Sequence, residues 1–383
     1  MTTISPSAER AVLDAVATHL FSGGEWRDGT GGGTLPVEDP ATGETLVEVA
    51  DATVADGQAA LTAADEAFRT FRQVAPRDRG EILRRAYELM VERSEDLALL
   101  MTLEMGKALA ESRAEVAYAA SYFRWYAEEA VRINGRYQVA ENGLSRVLTM
   151  EQPVGPCLFI TPWNFPLAMG TRKVGPAIAA GCTCVVKPAK QTPLSMLAMA
   201  QILEEAGLPA GVCNVITAKQ SGELMEPLIR DPRARKLSFT GSTAVGKKLV
   251  EQASEQLLRM SMELGGNAPF LVLQDADLDL AVEGAMLAKM RNIGEACTSA
   301  NRFLVHESVA ADFSQRLAER MRGLVLGRGT DSDVTTGPLI DQAARDGVQE
   351  LVEDAVGKGA EVLVGGAPRG GAGHLHHPPG PAG

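Results

Sequence analysis

The sequence lacks the features that mark several protein classes. Its 383 residues include only five cysteines, too few for the disulfide framework of a secreted domain, so a reducing, cytoplasmic location is expected. No apolar run is long enough to span a membrane, and the amino terminus has no apolar core of the signal-peptide type. A net charge of -12 disfavours nucleic acid and anionic membranes as main partners. The hydrophobic content of 45% is that of an ordinary soluble globular protein, the class that these absences leave open.

The order of the apolar segments predicts an α/β protein. Apolar residues recur at helical spacing through residues 54–136. From Pro153 onward, short apolar strands alternate with helices, which is typical of βαβ units and a parallel sheet. The segment Leu264-Gly265-Gly266-Asn267 interrupts this alternation, and a new α/β region begins with Pro269. We therefore predict two domains, the first with the outline of a nucleotide-binding architecture.

One cysteine, Cys297, lies among small and polar residues just before an apolar strand. Residues 290–301 read Met-Arg-Asn-Ile-Gly-Glu-Ala-Cys-Thr-Ser-Ala-Asn. A thiol attacks only as its thiolate, which requires hydrogen-bond donors, a nearby base and partial exposure. The competing interpretation is a small buried hydrophobic residue, which describes most free cysteines. Cys297 is therefore a candidate nucleophile whose role depends on other motifs.

Three further motifs follow predicted strands, where open α/β sheets bind their ligands. In residues 161–166, Thr-Pro-Trp-Asn-Phe-Pro, the Asn164 amide is a suitable donor for an oxyanion. Lys187 ends the next strand and suits a ribose or phosphate group. In residues 239–246, Phe-Thr-Gly-Ser-Thr-Ala-Val-Gly, a glycine-rich turn opens a helix. Taken singly, the asparagine could cap a turn and the lysine could be a solvated surface residue.

These motifs occur together with Met-Glu-Leu-Gly-Gly-Asn over residues 262–267 and Gly-Glu-Ala-Cys over residues 294–297. In this order the sequence resembles the aldehyde dehydrogenase superfamily over nearly all of residues 20–365. The resemblance implies an aldehyde dehydrogenase-like α/β fold in which a Rossmann-type parallel sheet binds the coenzyme. The implied parts are a coenzyme domain over residues 1–130 and 151–262, an oligomerisation segment over 131–150 and an incomplete catalytic α/β domain over 263–365.

The resemblance also implies a covalent mechanism. The Cys297 thiolate would attack the aldehyde, and the Asn164 amide and the Cys297 backbone N–H would hold the oxyanion of the thiohemiacetal. Hydride transfer would leave a thioester, and Glu263 would activate the water that hydrolyses it. This glutamate favours a hydrolytic enzyme over the acyl-CoA-forming branch of the family. A purely structural role for Glu263 is the alternative.

The coenzyme is expected to be NADP, or NAD. Relatives that prefer NAD commonly carry a glutamate where this chain has Lys190, and a lysine would attract the 2′-phosphate of NADP instead. Dual use of both coenzymes remains an alternative. The residues implied to contact the coenzyme are Thr161, Pro162, Trp163, Lys187, Lys190, Gly241, Ser242, Gly246 and Leu264.

Two arginines indicate the substrate. Arg172 and Arg291 match the positions where succinate-semialdehyde dehydrogenases place the pair that binds the far carboxylate of the substrate. Guanidinium groups suit such charge-assisted pairing. A surface ion pair is the alternative for each arginine. We expect succinate semialdehyde first and glutarate semialdehyde second, with an aldehyde dehydrogenase of broader substrate range as a further possibility.

The carboxyl end departs from the family pattern. The Glu-x-Phe-Gly-Pro element that holds the nicotinamide ribose in typical members is absent, and residues 366–383 consist mainly of Gly, Pro, Ala and His. This composition predicts a disordered tail and indicates a truncated or frameshifted end. It argues against the homo-oligomer that the family implies, and it makes an inactive, nucleotide-binding remnant the alternative function. His374, His376 and His377 lack cysteine or carboxylate partners, so no metal site is predicted.

Overall fold

A computed structural model describes residues 4–370 and 373–382 of the chain. The helices are α1 (Pro6–Ala15), α2 (Val54–Phe71), α3 (Pro76–Glu92), α4 (Ser94–Met105), α5 (Leu109–Glu129), α6 (Ala168–Ala180), α7 (Leu194–Glu205), α8 (Ser221–Ile229), α9 (Thr243–Ser254), α10 (Leu278–Met290), α11 (Glu307–Arg322) and α12 (Gln342–Gly357). The strands are β1 (Leu20–Ser22), β2 (Glu25–Arg27), β3 (Thr34–Glu38), β4 (Thr45–Ala50), β5 (Arg136–Val139), β6 (Arg146–Thr149), β7 (Cys157–Ile160), β8 (Cys184–Lys187), β9 (Cys213–Val215), β10 (Lys236–Gly241), β11 (Arg259–Leu264), β12 (Ala268–Val272), β13 (Ala300–Val305), β14 (Glu361–Val364) and β15 (Gly380–Ala382).

A seven-stranded sheet organises the first part of the chain, in the order β11-β10-β7-β8-β9-β1-β2. The pairs from β11 to β9 are parallel, and β1 joins β9 and β2 in antiparallel fashion. Strands β7 and β8 are buried at every position, as expected where helices cover both faces of a parallel sheet. The predicted Rossmann-type fold is confirmed.

Two buried glutamates fix the helices that follow the central strands. The Glu115 Oε1 atom accepts the backbone N–H groups of Leu167 and Ala168, each at 3.0 Å, at the start of α6. Glu104 accepts the corresponding groups of Leu194 and Ser195 at the start of α7. Burial raises the pKa of Glu104 to about 7, although these bonds oppose the shift. Because orphan N–H groups at helix starts need partners, both glutamates anchor the turns at the sheet edge.

The segment predicted to support oligomerisation projects as a hairpin. Strands β5 and β6 pair with each other and are exposed at every position. Their large apolar side chains include Tyr137, 70% exposed, and Leu148, 66% exposed. Contiguous exposed apolar groups of this kind commonly mark interaction surfaces. The oligomerisation role stays a prediction, as does the division of the chain into domains.

A smaller α/β part begins at β12, which pairs in parallel with β13. Its own core contains Val272, Val282, Ala285 and Phe313, so α10 and α11 pack on this short sheet. No helix in the described ranges combines the length and the apolar character that a membrane crossing requires.

The described residues of the tail, 366–370 and 373–382, make backbone hydrogen bonds with other segments, whereas disorder is predicted over 366–383; residues 371, 372 and 383 lie outside the described ranges. Strand β15 pairs with β14, His374 N donates to Pro40 O at 2.9 Å, and Gly366 N donates to His377 O at 3.0 Å. His376 is buried. Backbone hydrogen bonds require no large apolar side chains, so a segment of this composition can be ordered against the rest of the chain.

Candidate active site

The carboxyl ends of four parallel strands bring predicted coenzyme residues to one edge of the sheet. Thr161 directly follows β7, Lys187 ends β8, Gly241 ends β10 and Leu264 ends β11. The register places Lys187 beside the last residue of β7 and Gly241 beside Leu264. This edge is where open α/β sheets bind ligands.

The three predicted catalytic residues line one cavity of about 390 Å³ next to this edge: Asn164, Glu263 and Cys297. Cys297 is exposed, whereas the other four cysteines are buried. The interpretation of Cys297 as a small buried hydrophobic residue is therefore wrong. Residues predicted to contact the coenzyme also line the cavity, namely Pro162, Trp163, Gly241, Ser242 and Leu264.

The loop that carries Cys297 has an unusual backbone. A short 3-10 turn follows α10, and within it Asn292 and Ile293 have φ values of 54° and 53°. Positive φ is uncommon for asparagine and an outlier for a β-branched residue, costing on the order of 1–3 kcal/mol each. Asn292 is buried, and its Nδ2 atom donates to Asn164 O at 2.9 Å. Surrounding contacts thus hold a strained turn directly before the exposed thiol.

Asn164 is fixed relative to this loop by its side chain as well. Its Nδ2 atom donates to the Glu295 carbonyl at 2.6 Å. An amide NH2 group carries two hydrogens, so the second N–H is left for another acceptor. The Cys297 backbone N–H has no hydrogen-bond acceptor within the described part of the chain. The two residues that carry these N–H groups line the same cavity.

Two carboxyl groups line the thiol cavity, and their surroundings differ. Glu263 is exposed on β11, at the edge of the large sheet. Burial raises the pKa of Glu295 well above its usual value, more than the Lys107 charge and the Ile340 N–H lower it. Burial favours the protonated form of Glu295, which works against a role as proton acceptor. The contrast favours Glu263 as the base.

Glu263 also lines a second cavity of about 390 Å³. The Lys173 Nζ atom lies there, donating to Ser238 Oγ at 2.8 Å. Burial lowers the pKa of Lys173 to about 8; the Arg172 charge adds to this shift and Glu263 opposes it. Lys173 was missed by sequence reasoning, since a lysine beside an arginine in a helix has the appearance of a solvated face.

The glycine-rich turn fits a dinucleotide. Ser242 caps α9 by accepting the Val245 N–H at 3.3 Å. A Cβ atom at Gly241 would lie 2.5 Å from the Phe239 ring, and one at Gly246 would lie 2.6 Å from Leu264 Cδ2. A side chain at either position would require Phe239 or Leu264 to move, and the two glycines leave the start of α9 open for a phosphate.

Unsatisfied polar atoms at the same edge support this fit. The hydroxyl oxygens of Thr161 and Thr240 are buried and have no hydrogen-bond partner within the described ranges. Buried hydroxyls almost always have a partner, so these two are suited to a bound polar ligand. Of the described residues, no group of three or more His, Cys, Asp or Glu side chains is arranged to hold a metal ion.

The two lysines predicted to bind the coenzyme occupy different surroundings. Lys187 is buried and donates to Ser221 Oγ, and burial together with the Lys190 charge lowers its pKa to about 8. Lys190 is exposed and lines a cavity of about 240 Å³ that Lys219 also lines. Lys219 was missed by sequence reasoning, although it follows the end of β9 much as Lys190 follows the end of β8.

The two arginines flank the thiol cavity without lining it, within the described residues. The Arg291 guanidinium carbon lies 5.6 Å from the Phe165 ring centroid, and Arg172 Nη1 lies 3.9 Å from Met169 Sδ. Phe165 and Met169 both line the cavity, so each arginine is one side chain from the thiol site. Neither guanidinium lies within 4.0 Å of a carboxylate oxygen in the described part of the chain, which argues against simple ion pairs.

Comparison with known proteins identifies the family. A family profile described as "Aldehyde dehydrogenase family" matches residues 26–379. The chain belongs to the aldehyde dehydrogenase family. The predicted resemblance is confirmed, and the protein is an aldehyde-oxidising enzyme by family.

Several proteins that are similar to this aldehyde dehydrogenase are named succinate-semialdehyde dehydrogenases. The succinate-semialdehyde dehydrogenase of Paenarthrobacter nicotinovorans is 58% identical over 333 residues, which cover 87% of this chain and 74% of the relative. The succinate-semialdehyde dehydrogenase [NADP(+)] of Escherichia coli is 48% identical over 90% of this chain and 71% of its own length. A crystal structure of succinate-semialdehyde dehydrogenase from Burkholderia pseudomallei superposes with a TM-score of 0.93 at 44% identity, covering 99% of this chain and 77% of that one.

Proposed function

We propose that this family member oxidises succinate semialdehyde, or a similar short carboxylated aldehyde, to the carboxylic acid with NADP+ or NAD+. The observation that carries the proposal is the exposed Cys297 thiol in one cavity with Asn164 and Glu263. The names of similar proteins support the substrate class and the use of NADP+. Formation of reduced coenzyme from succinate semialdehyde by the purified chain tests it.

The residues of the cavity suggest the order of events. The Cys297 thiolate adds to the aldehyde carbon, and the free Asn164 N–H and the Cys297 backbone N–H stabilise the oxyanion of the thiohemiacetal. The bound nicotinamide supplies the acceptor for hydride. Cys297 then carries a thioester, and Glu263 takes a proton from the water that attacks its carbonyl. Collapse of this second oxyanion releases the acid and restores the thiolate.

The coenzyme would be held along the edge of the large sheet. The N–H groups at the start of α9, opened by Gly241, Ser242 and Gly246, suit the pyrophosphate. Lys187 suits a ribose, and Lys190 suits the 2′-phosphate of NADP+. Of the remaining predicted contacts, Pro162, Trp163 and Leu264 line the thiol cavity, and Thr161 directly follows β7.

The arginine pair predicts a selective effect on the substrate. Replacing Arg172 or Arg291 by alanine is expected to lower kcat/KM for succinate semialdehyde by about 10- to 100-fold, mainly through KM, since a charge-assisted hydrogen bond contributes about 1.5–3 kcal/mol. For butanal, which has no carboxylate, the change should be small. Steady-state kinetics with both aldehydes measures this.

Arg124→Ala is the matched control, because the Arg124 guanidinium also lies over an aromatic ring, that of Tyr87, away from the thiol cavity. Equal losses with both aldehydes would remove the arginines from substrate recognition. An intact chain that turns over butanal as well as succinate semialdehyde would favour the broader aldehyde dehydrogenase.

Lys190 predicts the coenzyme preference. Replacing it by glutamate is expected to lower kcat/KM for NADP+ relative to NAD+ by about 10- to 100-fold, because a favourable charge near the 2′-phosphate becomes a repulsive one. Lys358→Glu, an exposed change at a lysine that pairs with Asp354, is the control. An unchanged ratio in Lys190→Glu would contradict the assignment.

Two features bear on the surroundings of the protein. The exposed β5–β6 hairpin supports a homo-oligomer, whose molar mass light scattering would measure. Five free thiols support a reducing compartment such as the cytoplasm.

Nucleotide binding without catalysis is the competing function, and coenzyme-dependent thermal shift without turnover would favour it.

A further inference from the structure

A lysine outside the motifs described above lies beneath the thiol cavity. Lys107 is fully buried, and its Nζ atom donates to Glu115 Oε2 at 2.6 Å, Asn292 Oδ1 at 2.5 Å and Asn164 O at 2.9 Å. An ammonium group has three hydrogens, so every donor is used. The charge also lies 4.7 Å from the centroid of the Phe165 ring, a cation–π contact.

Stability alone does not explain this arrangement. Transfer of an ammonium and a carboxylate from water into the interior is costly, and apolar residues of the same volume often give an equally stable protein. Lys107 and Glu115 are both nearly inaccessible to water. The pair is better explained by the groups that it holds in place.

Those groups belong to both walls of the catalytic site. The Asn164 carbonyl accepts one bond from Lys107 and one from Asn292, which occupies both of its lone pairs. The Asn164 amide donates to the Glu295 carbonyl, two residues before Cys297. Lys107 thus contacts the residue that supplies the amide donor and, through Asn292, the strained turn that leads to the thiol.

Glu115 orients Lys107 and the Asn164 segment together. One carboxylate oxygen accepts from Lys107, and the other caps α6 at Leu167 and Ala168, three and four residues after Asn164. The Lys107 backbone is enclosed as well, because a Cβ atom at Gly329 would collide with its carbonyl oxygen. The ammonium therefore has a fixed position from which to hold the loops.

We propose that Lys107, held by Glu115, is a positioning residue that aligns the Asn164 amide and the Cys297 backbone N–H on the oxyanion formed when Cys297 attacks a carbonyl. The inference rests on the proposed function, since it concerns the first covalent step of that reaction. Lys107 touches neither substrate nor coenzyme; it acts through Asn164 and Asn292.

Two coenzyme-free reactions of Cys297 separate this role from a general one. With p-nitrophenyl acetate, the thiolate adds to the ester carbonyl, an oxyanion forms, and p-nitrophenolate leaves with the bonding electron pair to give an S-acetyl group. With iodoacetamide, the S–C bond forms while the C–I bond breaks and iodide leaves, so no oxyanion arises. Both reactions are measurable even if succinate semialdehyde is not a substrate.

Lys107→Met is expected to slow the p-nitrophenolate burst by about 100-fold, because misaligned oxyanion donors cost about two orders of magnitude in rate. Alkylation by iodoacetamide should change by less than about threefold, because the thiol itself is not held by Lys107. The control is Ser112→Ala. Ser112 lies on the same helix as Glu115, and its replacement removes a buried hydrogen bond to Thr102 but none to Lys107. It should leave the ratio of the two rates unchanged.

A double-mutant cycle tests the route through Asn164. In an Asn164→Ala background, Lys107→Met should slow the ester reaction by less than about threefold, because residues that act as one unit are not additive. If Lys107→Met does not fold, Glu115→Gln, which keeps an acceptor for the α6 cap, should slow only the ester reaction. Equal loss of both reactions, an unchanged ester reaction or fully multiplicative effects would overturn the proposal.

Discussion

Replacing Cys297 by alanine is expected to lower kcat/KM for succinate semialdehyde by about 10⁴-fold or more, since loss of a covalent nucleophile commonly costs this much. The structure offers no substitute, because the other four cysteines are buried in the hydrophobic core. Asn164 and Glu263 would still line the cavity, but no thioester could form. The initial rate of reduced coenzyme formation measures the loss.

The adjacent change Thr298→Ala is the matched control for Cys297→Ala, because Thr298 is also exposed on the same loop. It should retain activity within a small factor. Coenzyme-dependent thermal stabilisation of Cys297→Ala should equal that of the unchanged protein, which shows that the site is still formed. More than a tenth of the original activity in Cys297→Ala would exclude this cysteine as the nucleophile.

Glu263→Gln is expected to separate a fast burst of reduced coenzyme from a slow steady state. Attack by Cys297 and oxidation need no proton acceptor at residue 263, so about one equivalent of reduced coenzyme should appear in a burst. Steady-state turnover should then be about 10²- to 10⁴-fold slower, the usual contribution of a general base. Glutamine has nearly the same shape as glutamate but cannot take a proton from water. Rapid-mixing absorbance measurements resolve both phases.

Added hydroxylamine sharpens this experiment, because it attacks a thioester without help from a base. It should restore turnover to Glu263→Gln and have little effect on Glu251→Gln, a control at an exposed glutamate of α9. Loss of the burst together with the steady-state rate would place Glu263 before the thioester and contradict its assignment as the base for hydrolysis.

Local patterns were sufficient to predict the large sheet and the contents of its edge. Apolar runs such as β7 and β8 are signals within one segment of sequence, and the structure has both strands. Because parallel strands end on the same side, a residue after one strand is close to a residue after the next. The convergence of Asn164, Glu263 and Cys297 on one cavity follows from that geometry and the position of the Cys297 loop.

Long-range partners could not be predicted in this way. Lys107 is 185 residues from Asn292, and the local sequence Gly106-Lys107-Ala108 resembles the solvated end of a helix. The order of the described tail residues could not be predicted for the same reason, since the hydrogen bond from His374 to Pro40 joins segments that are distant in sequence. The sequence also could not predict that Arg172 and Arg291 lie beside the cavity rather than in its lining, because this depends on tertiary packing.

Covalent catalysis by Cys297 is tested by the intact mass of Glu263→Gln after brief reaction with succinate semialdehyde and NADP+, followed by peptide mapping. We expect one succinyl group per chain, on Cys297, that hydroxylamine removes. A chain without the adduct despite reduced coenzyme formation, or with the adduct on another residue, would contradict covalent catalysis by Cys297.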